Sequence, residues 1–118
     1  MKQIDIRQGS DMDKINDLIN KIVSFSEERD WDQFHSPENL AKSIAIEAGE
    51  LLECYQWNTE ADLSSVEEEL ADVLNYALLL AYKLNLDPVE IVEKKLQISS
   101  QKYPVDKSKG RSTKYDKL

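Results

Sequence analysis

The residues best suited to chemistry are two pairs of acids that are separated by 18 residues. Glu47 and Glu50 lie in the segment EAGE, and Glu69 and Asp72 lie in the segment ELAD. Within each pair the spacing of three places both carboxylates on one face of a helix. Carboxylates that converge repel one another and are costly to desolvate unless a cation or basic side chains neutralise them.

Four helices are predicted to position these acids, and no strand is predicted. The first runs from about Asp11 to Glu28, with Ser10 as its cap and apolar residues at helical spacing. The second follows Ser36, a cap residue with proline at the first helical position, and continues to about Tyr55.

The third helix is expected to end near Leu84, with Ser64 or Ser65 as its cap and Glu67 or Glu68 completing a capping box. In the fourth helix, the segment DPVE predicts Asp87 as the cap, Pro88 as the first residue and an end near Gln101. Short links between helices favour antiparallel neighbours. The predicted fold is therefore all-α, of the four-helix bundle type.

Helical periodicity places the two acid pairs on matching flanks of the second and third helices. At about 100° per residue, Glu47 and Glu50 lie beside the apolar stripe of the second helix, while Glu53 lies on its far side. Glu69 and Asp72 occupy the same flank of the third helix, together with Tyr76. If the stripes of both helices face one core, the four carboxylates converge.

Basic residues on these two helices are poorly placed to neutralise the acids. Lys42 lies on the far side of its helix, and Lys83 shares the flank of Asp72 but lies about 16 Å away along the axis. A lysine of another helix, Lys21 or Lys95 for instance, stays open as an alternative. Mg²⁺ is the better candidate because it takes oxygen ligands and keeps sites for water and phosphates.

Composition limits the other classes of function. The chain of 118 residues, 41% hydrophobic and 32% charged, is typical of one globular domain. No apolar run approaches about 18 residues and no signal-peptide segment is present, so we expect a cytoplasmic protein without a membrane partner. Cys54 is the only cysteine, which excludes an internal disulfide.

Charge is divided unevenly along the chain. Residues 102–118 carry a net charge of +4. Because the whole chain carries −8, residues 1–101 carry −12. An acidic body disfavours a nucleic acid partner. We interpret residues 1–102 as a helical catalytic domain and residues 103–118 as a basic tail, which is either a solvated terminus or a segment that folds over an anionic ligand.

The ordered motifs resemble those of the MazG-like, all-α nucleoside triphosphate pyrophosphohydrolases, in particular their dCTP pyrophosphatase branch. Besides EAGE and ELAD, the matching segments are RDWDQFHSPENL, LLECYQW, ADVLNY and QKYP, and the similarity spans Glu27 to Pro104. The resemblance implies that Glu47, Glu50, Glu69 and Asp72 bind Mg²⁺. It also implies hydrolysis of a nucleoside triphosphate to the monophosphate and pyrophosphate. The implied substrate is dCTP or a modified relative, and the implied role is the removal of unwanted nucleotides from the pool.

The resemblance also implies roles for other residues. Glu47 and Glu50 are the candidates for the base that activates water. The expected contacts with base, sugar and phosphates come from seven residues: Trp31, Gln33, His35, Trp57, Tyr76, Lys95 and Lys102. From the sequence alone each tryptophan could instead fill the core, and His35 could be a surface residue. Ser99 stands where relatives often carry Asn.

Three alternatives compete with this function. A di-iron bundle needs two Glu-x-x-His pairs, whereas the chain has one histidine. A non-catalytic acidic module that docks a basic partner remains possible on the sequence, as does a related pyrophosphohydrolase acting on dUTP. Apolar residues beyond the stripes, such as Val23, Ile4 or Ile6 and Val92, favour a homodimer or homotetramer with sites near subunit boundaries.

Overall fold

The computed structural model describes residues 10–118, and between Ser10 and Leu118 it contains helices and no β-strand. The all-α prediction is therefore confirmed. The five α-helices are α1 (Ser10–Glu28), α2 (Pro37–Glu53), α3 (Leu63–Lys83), α4 (Pro88–Lys102) and α5 (Val105–Ser108). Two 3₁₀ turns, Asp32–Phe34 and Tyr115–Lys117, and the short α5 were not predicted.

The start of α2 follows the predicted signals. The Ser36 side chain accepts a hydrogen bond from the Asn39 backbone N–H at 3.2 Å, and Pro37 is the first helical residue. The helix ends at Glu53, two residues before the predicted end at Tyr55. The backbone N–H groups of Cys54 and Tyr55 donate to carbonyls three residues back, which tightens the last turn.

The predicted cap of α3 is wrong. Asp62, rather than Ser64 or Ser65, caps the helix, because its carboxylate accepts a 3.3 Å hydrogen bond from the Ser65 backbone N–H. The Ser64 and Ser65 hydroxyls donate to the same carboxylate at 2.8 and 3.0 Å, and these bonds lower the pKa of Asp62. With the cap at Asp62, the predicted capping box is lost as well.

The remaining helix ends are close to those predicted. Asp87 caps α4 by accepting hydrogen bonds from the next two backbone N–H groups after Pro88, at 2.9 and 3.3 Å. Asn85 adopts φ of 60° just after α3, a left-handed conformation that commonly ends helices. The helix α1 begins one residue before the predicted Asp11, and the capping roles expected at its start, like Ile4 and Ile6, lie outside the described side chains.

The chain divides into two compact units after Asn85. In the first unit α2 packs along α3 and α1 also contacts α3, around a core of buried residues that includes Ile19, Leu40 and Leu79. In the second unit, Leu86–Leu118, the ring of Tyr115 lies edge-on to Tyr103, with centroids 6.0 Å apart. The four-helix bundle and the predicted boundary at residue 102 stay predictions. None of the described helices combines the length and apolar character needed to cross a membrane.

Candidate functional site

Packing of α2 along α3 brings three of the four predicted acids together. Glu47 and Glu50 lie one turn apart on α2, and Glu69 lies on α3. Each offers one carboxylate oxygen to a group whose oxygen atoms all lie within 4.8 Å of one another. We call Glu47, Glu50 and Glu69 the acidic cluster.

The acidic cluster is electrostatically unfavourable as it stands. One carboxylate oxygen of Glu47 and one of Glu69 are buried, and no hydrogen-bond partner for them lies in the described part of the chain. The pKa of Glu47 is raised to about 7, first because its protonated form can hydrogen-bond Glu50, then by desolvation and the charges of Glu50, Asp72 and Glu69. Desolvation, followed by the proximity of Glu50 and other acids, also raises the pKa of Glu69.

Asp72, the fourth predicted acid, lies beside the acidic cluster and outside the group of three. Its charge contributes to the raised pKa of both Glu47 and Glu69, and its side chain also lines a neighbouring cavity. Asp72 therefore lies at the border between the acidic cluster and that cavity.

The arrangement of the acids fits a divalent cation. Within the described part of the chain, no lysine or arginine forms an ion pair with Glu47, Glu50, Glu69 or Asp72. Lys21, one of the possible neutralising residues, lines the cavity next to Asp72 without such a pair. Ionised carboxylates that are partly buried and lack a donor are stabilised by a nearby positive charge, and Mg²⁺ prefers oxygen ligands of this kind. The residues present therefore suit Mg²⁺.

The neighbouring cavity has a volume of about 410 Å³ and lies in the first unit. Its walls come from α1, from α3 and from residues 29–36, which we call the Trp31 loop. Three residues that the sequence assigned to the site, Trp31, His35 and Tyr76, line it together with Asp72. The cavity residues that were not assigned to the site are Lys21, Ile22, Phe25, Ser26, Asn75 and Leu79.

Aromatic rings make up much of the cavity wall. Trp31 lies edge-on to Phe25 with ring centroids 5.7 Å apart, and His35 lies edge-on to Tyr76 at 6.4 Å. The Nδ1 atom of His35 is buried, and the described residues supply no hydrogen-bond partner for it. Burial, together with nearby acids such as Glu47, raises the pKa of Tyr76, which keeps its hydroxyl protonated at neutral pH.

Two of the other predicted contact residues, Gln33 and Trp57, belong to the first unit but do not line this cavity. The Gln33 side-chain amide donates to the backbone carbonyl of Asp30 at 2.9 Å and to its carboxylate at 3.2 Å. Trp57 is 85% exposed. Lys95 and Lys102 belong to the second unit, where the Lys102 ammonium lies 4.7 Å from the centroid of the Tyr115 ring.

The cavity residues on α1 were missed because their pattern has an ordinary explanation. Ile22 and Phe25 are three residues apart on a helix, which is typical of a core stripe. Phe25 is nevertheless exposed in the single chain, and one of its neighbours is the ring of Trp31. Asn75 and Tyr76 both follow Asp72 by about one turn of α3. This spacing could have indicated Asn75 as a residue of the site.

Comparisons with known proteins identify the family of the chain. The model of the MazG-like family matches residues 42–118. The chain is 36% identical to dCTP pyrophosphatase 1 of Rattus norvegicus and 34% identical to that of Homo sapiens, in each case over 88% of this chain and 67% of the relative. It is also similar to the crystal structure of a pyrophosphatase from Archaeoglobus fulgidus, with a TM-score of 0.72 and 38% identity over 77% of this chain and 93% of that one.

The family match includes all four predicted acids, and the similarity to the curated relatives extends over most of the chain. The solved structure adds agreement in fold at an identity well above the level of chance resemblance. The chain therefore belongs to the MazG-like family, in its dCTP pyrophosphatase branch, and is a pyrophosphohydrolase.

Proposed function

We propose that the chain hydrolyses a nucleoside triphosphate between the α and β phosphates, releasing the monophosphate and pyrophosphate. The observation that carries the proposal is the acidic cluster at one border of an aromatic cavity, with Asp72 between them. The names of the curated relatives favour dCTP, or a modified relative of it, as the substrate. The proposed role is the removal of unwanted nucleotides from the pool, in the cytoplasm.

In this proposal the acidic cluster and Asp72 hold Mg²⁺. The ion, when bound, would neutralise charge on the phosphoryl oxygens and make a bound water more acidic. Glu47, Glu50, Glu69 and Asp72 supply the negative oxygen ligands, and their mutual repulsion is relieved at the same time. A carboxylate of the cluster also takes the proton from the attacking water, and Glu47 and Glu50 are the candidates.

The cavity would hold the base and the sugar. Trp31 supplies a broad ring face, and stacking on such a ring is worth about 1–3 kcal/mol per base in single-strand binding. His35 lines the cavity with a ring that can donate and accept hydrogen bonds, and Tyr76 lies beside Asp72, where the ribose would approach. The roles of Gln33, Trp57, Lys95 and Lys102 toward the substrate stay predictions.

We also propose that the working form is a homo-oligomer, either a dimer or a tetramer. Large apolar side chains of the first unit are exposed in the subunit, among them Phe25, Leu70 and Leu74. Apolar surface of this kind commonly marks an interface between copies. A second copy near the site would also give the exposed Trp57 a surface to contact.

A panel of triphosphates tests the proposed reaction. Purified protein is incubated with dCTP, modified dCTP, dUTP and the other triphosphates, with Mg²⁺ or with EDTA, and the products are separated by ion exchange. We expect monophosphate and pyrophosphate in equal amounts, dependent on Mg²⁺ and highest for a cytosine nucleotide. Release of inorganic phosphate and a diphosphate would contradict the proposed bond. No turnover of any triphosphate, with no effect of Mg²⁺ on stability, would favour a docking module.

A further inference from the structure

The Trp31 loop is shaped by hydrogen bonds within itself and with its neighbours in sequence. The Trp31 backbone N–H donates to the Ser26 carbonyl at 2.9 Å, and the His35 N–H donates to the Asp32 carbonyl at 3.0 Å. Asp30 adopts a left-handed φ of 56°, and its carbonyl accepts from the Gln33 amide. These local bonds define the turn, but they do not determine where the loop lies against α3.

Two contacts connect the loop with α3, in addition to the contacts of Arg29 and Trp31 with Phe25 on α1 and the hydrogen bond from the Asn39 side chain on α2 to the Phe34 carbonyl. The ring of His35 lies against Tyr76, and the Lys83 ammonium donates to the carboxylate of Asp32. Tyr76 and Lys83 are seven residues apart, so they lie on the same face of α3 and about 10 Å apart along its axis. Lys83 therefore contacts the loop next to Trp31, at the end that the His35 contact does not reach.

The ion pair between Lys83 and Asp32 is unusual within this chain. In the described part of the chain, it is the only salt bridge between residues more than four positions apart. The Lys83 side chain is 20% exposed and that of Asp32 is 61% exposed. A partly buried ammonium is screened less by solvent than the lysine of an ordinary surface pair. The helical periodicity of α3 places Lys83 on the same flank as the acids, but it does not predict the contact with Asp32.

We propose that Lys83 is a positioning residue for substrate binding. By holding Asp32, it keeps Trp31 against the cavity in the arrangement that accepts a nucleotide base. The inference rests on the proposed function, because it takes the cavity as the site of the base. It adds that Lys83, which makes no contact with the substrate, controls the affinity for the substrate through the position of the loop.

Substitutions that remove one charge and keep the size of the side chain test this role. K83M and D32N should each raise KM about three- to tenfold. This is the range expected when a partly buried ion pair is lost. Because both partners act through one contact, the double variant K83M/D32N should be no worse than the poorer single variant. The kcat should stay within about twofold of the original value, since no reacting group is changed.

Two further variants act as controls. K83R keeps the charge and should retain a KM within about twofold of the original. K42M breaks the exposed ion pair of Lys42 with Glu38 on the far side of α2 and should leave KM unchanged. Denaturant midpoints of all variants show whether any change in KM is only a loss of folded protein.

The position of the loop can also be measured without substrate. The chain has two tryptophans, so in a W57F background the fluorescence reports Trp31 alone. Quenching of Trp31 by acrylamide should increase in K83M and in D32N but not in K42M. This measurement stays valid if the triphosphate panel shows no hydrolysis, so failure of the proposed function and failure of the inference are distinguishable.

Three results would overturn the inference. Unchanged quenching in K83M and D32N would show that the ion pair does not position the loop. Increased quenching with an unchanged KM, in an active enzyme, would show that the position of the loop does not set affinity. A KM raised by K83M but not by D32N would mean that Lys83 acts on the substrate directly and not through Asp32.

Discussion

Glu47 on α2 and Glu69 on α3 face each other with carboxylate oxygens within 4.8 Å, and each buries one oxygen for which residues 10–118 supply no hydrogen-bond partner. Two helices that pack side by side would ordinarily place apolar or paired groups at such a contact. The relationship is therefore costly for folding, and a bound cation would relieve it.

Mg²⁺ should stabilise the protein. Binding to the folded state alone raises stability by about 2.7 kcal/mol at a concentration one hundred times the dissociation constant. We expect a saturable rise of the thermal midpoint in Mg²⁺, which should be largely lost in E47Q. E53Q is the matched control, because Glu53 is an exposed glutamate at the end of the same helix. An equal response of both variants would place the cation elsewhere.

Removing the charge of a proposed ligand should abolish activity without unfolding the chain. E50Q and D72N keep the shape of each side chain and should lower kcat/KM by about 100-fold or more. Metal-free stability should stay level or rise, since each change relieves repulsion within the cluster. Turnover assays and circular dichroism on the same preparations check both parts, and near-normal turnover in both variants would refute the metal assignment.

The metal-free protein should lose stability as the pH rises from about 4.5 to about 7. The folded-state pKa of Glu47 is raised from 4.5 to about 7, so in this window the folded chain binds more protons than the unfolded one. The contribution of Glu47 to stability is therefore complete below the unfolded-state pKa and is lost as the pH rises through the folded-state pKa. Urea midpoints in EDTA, at about pH 5 and about pH 8, measure the fall. E47Q should flatten it, and an equal fall in E47Q would assign the dependence to other groups.

Trp31→Ala should weaken substrate binding more than it weakens the fold. The residue is 44% exposed, so its truncation should cost less than the roughly 3–5 kcal/mol expected for a core aromatic residue. Loss of stacking should raise KM by the equivalent of about 1–3 kcal/mol. Michaelis constants and denaturant midpoints, measured together, decide. A large loss of stability with an unchanged KM would show that Trp31 is a core residue and not a substrate contact.

The chain should be a homodimer or homotetramer at micromolar concentration. Exposed Phe25, Leu70 and Leu74 offer more apolar surface than isolated surface residues usually do. Light scattering coupled to size exclusion gives the mass directly. Leu74→Glu, on the exposed side of α3, should shift the mass toward the monomer if that side is an interface. A monomeric mass for the unaltered chain would contradict the proposal.

Local signals in the sequence determined most helix ends because a cap acts within three or four residues. Ser36 with Pro37 and Asp87 with Pro88 begin their helices where the pattern predicts. The same local range explains the error at α3, where Asp62 and two serines are competing caps and the charged acceptor binds the N-terminal donors. Periodicity likewise placed Glu47 and Glu69 on flanks that could meet.

Tertiary structure decided the contacts between residues that are far apart in the chain. Lys83 and Asp32 are 51 positions apart, and no spacing rule connects a helix end to an aperiodic loop. The cavity likewise depends on how α1 packs against α3, which makes Phe25 a wall residue rather than part of the buried core. Helical spacing shows which residues share one face, whereas the packing of several elements determines what that face meets.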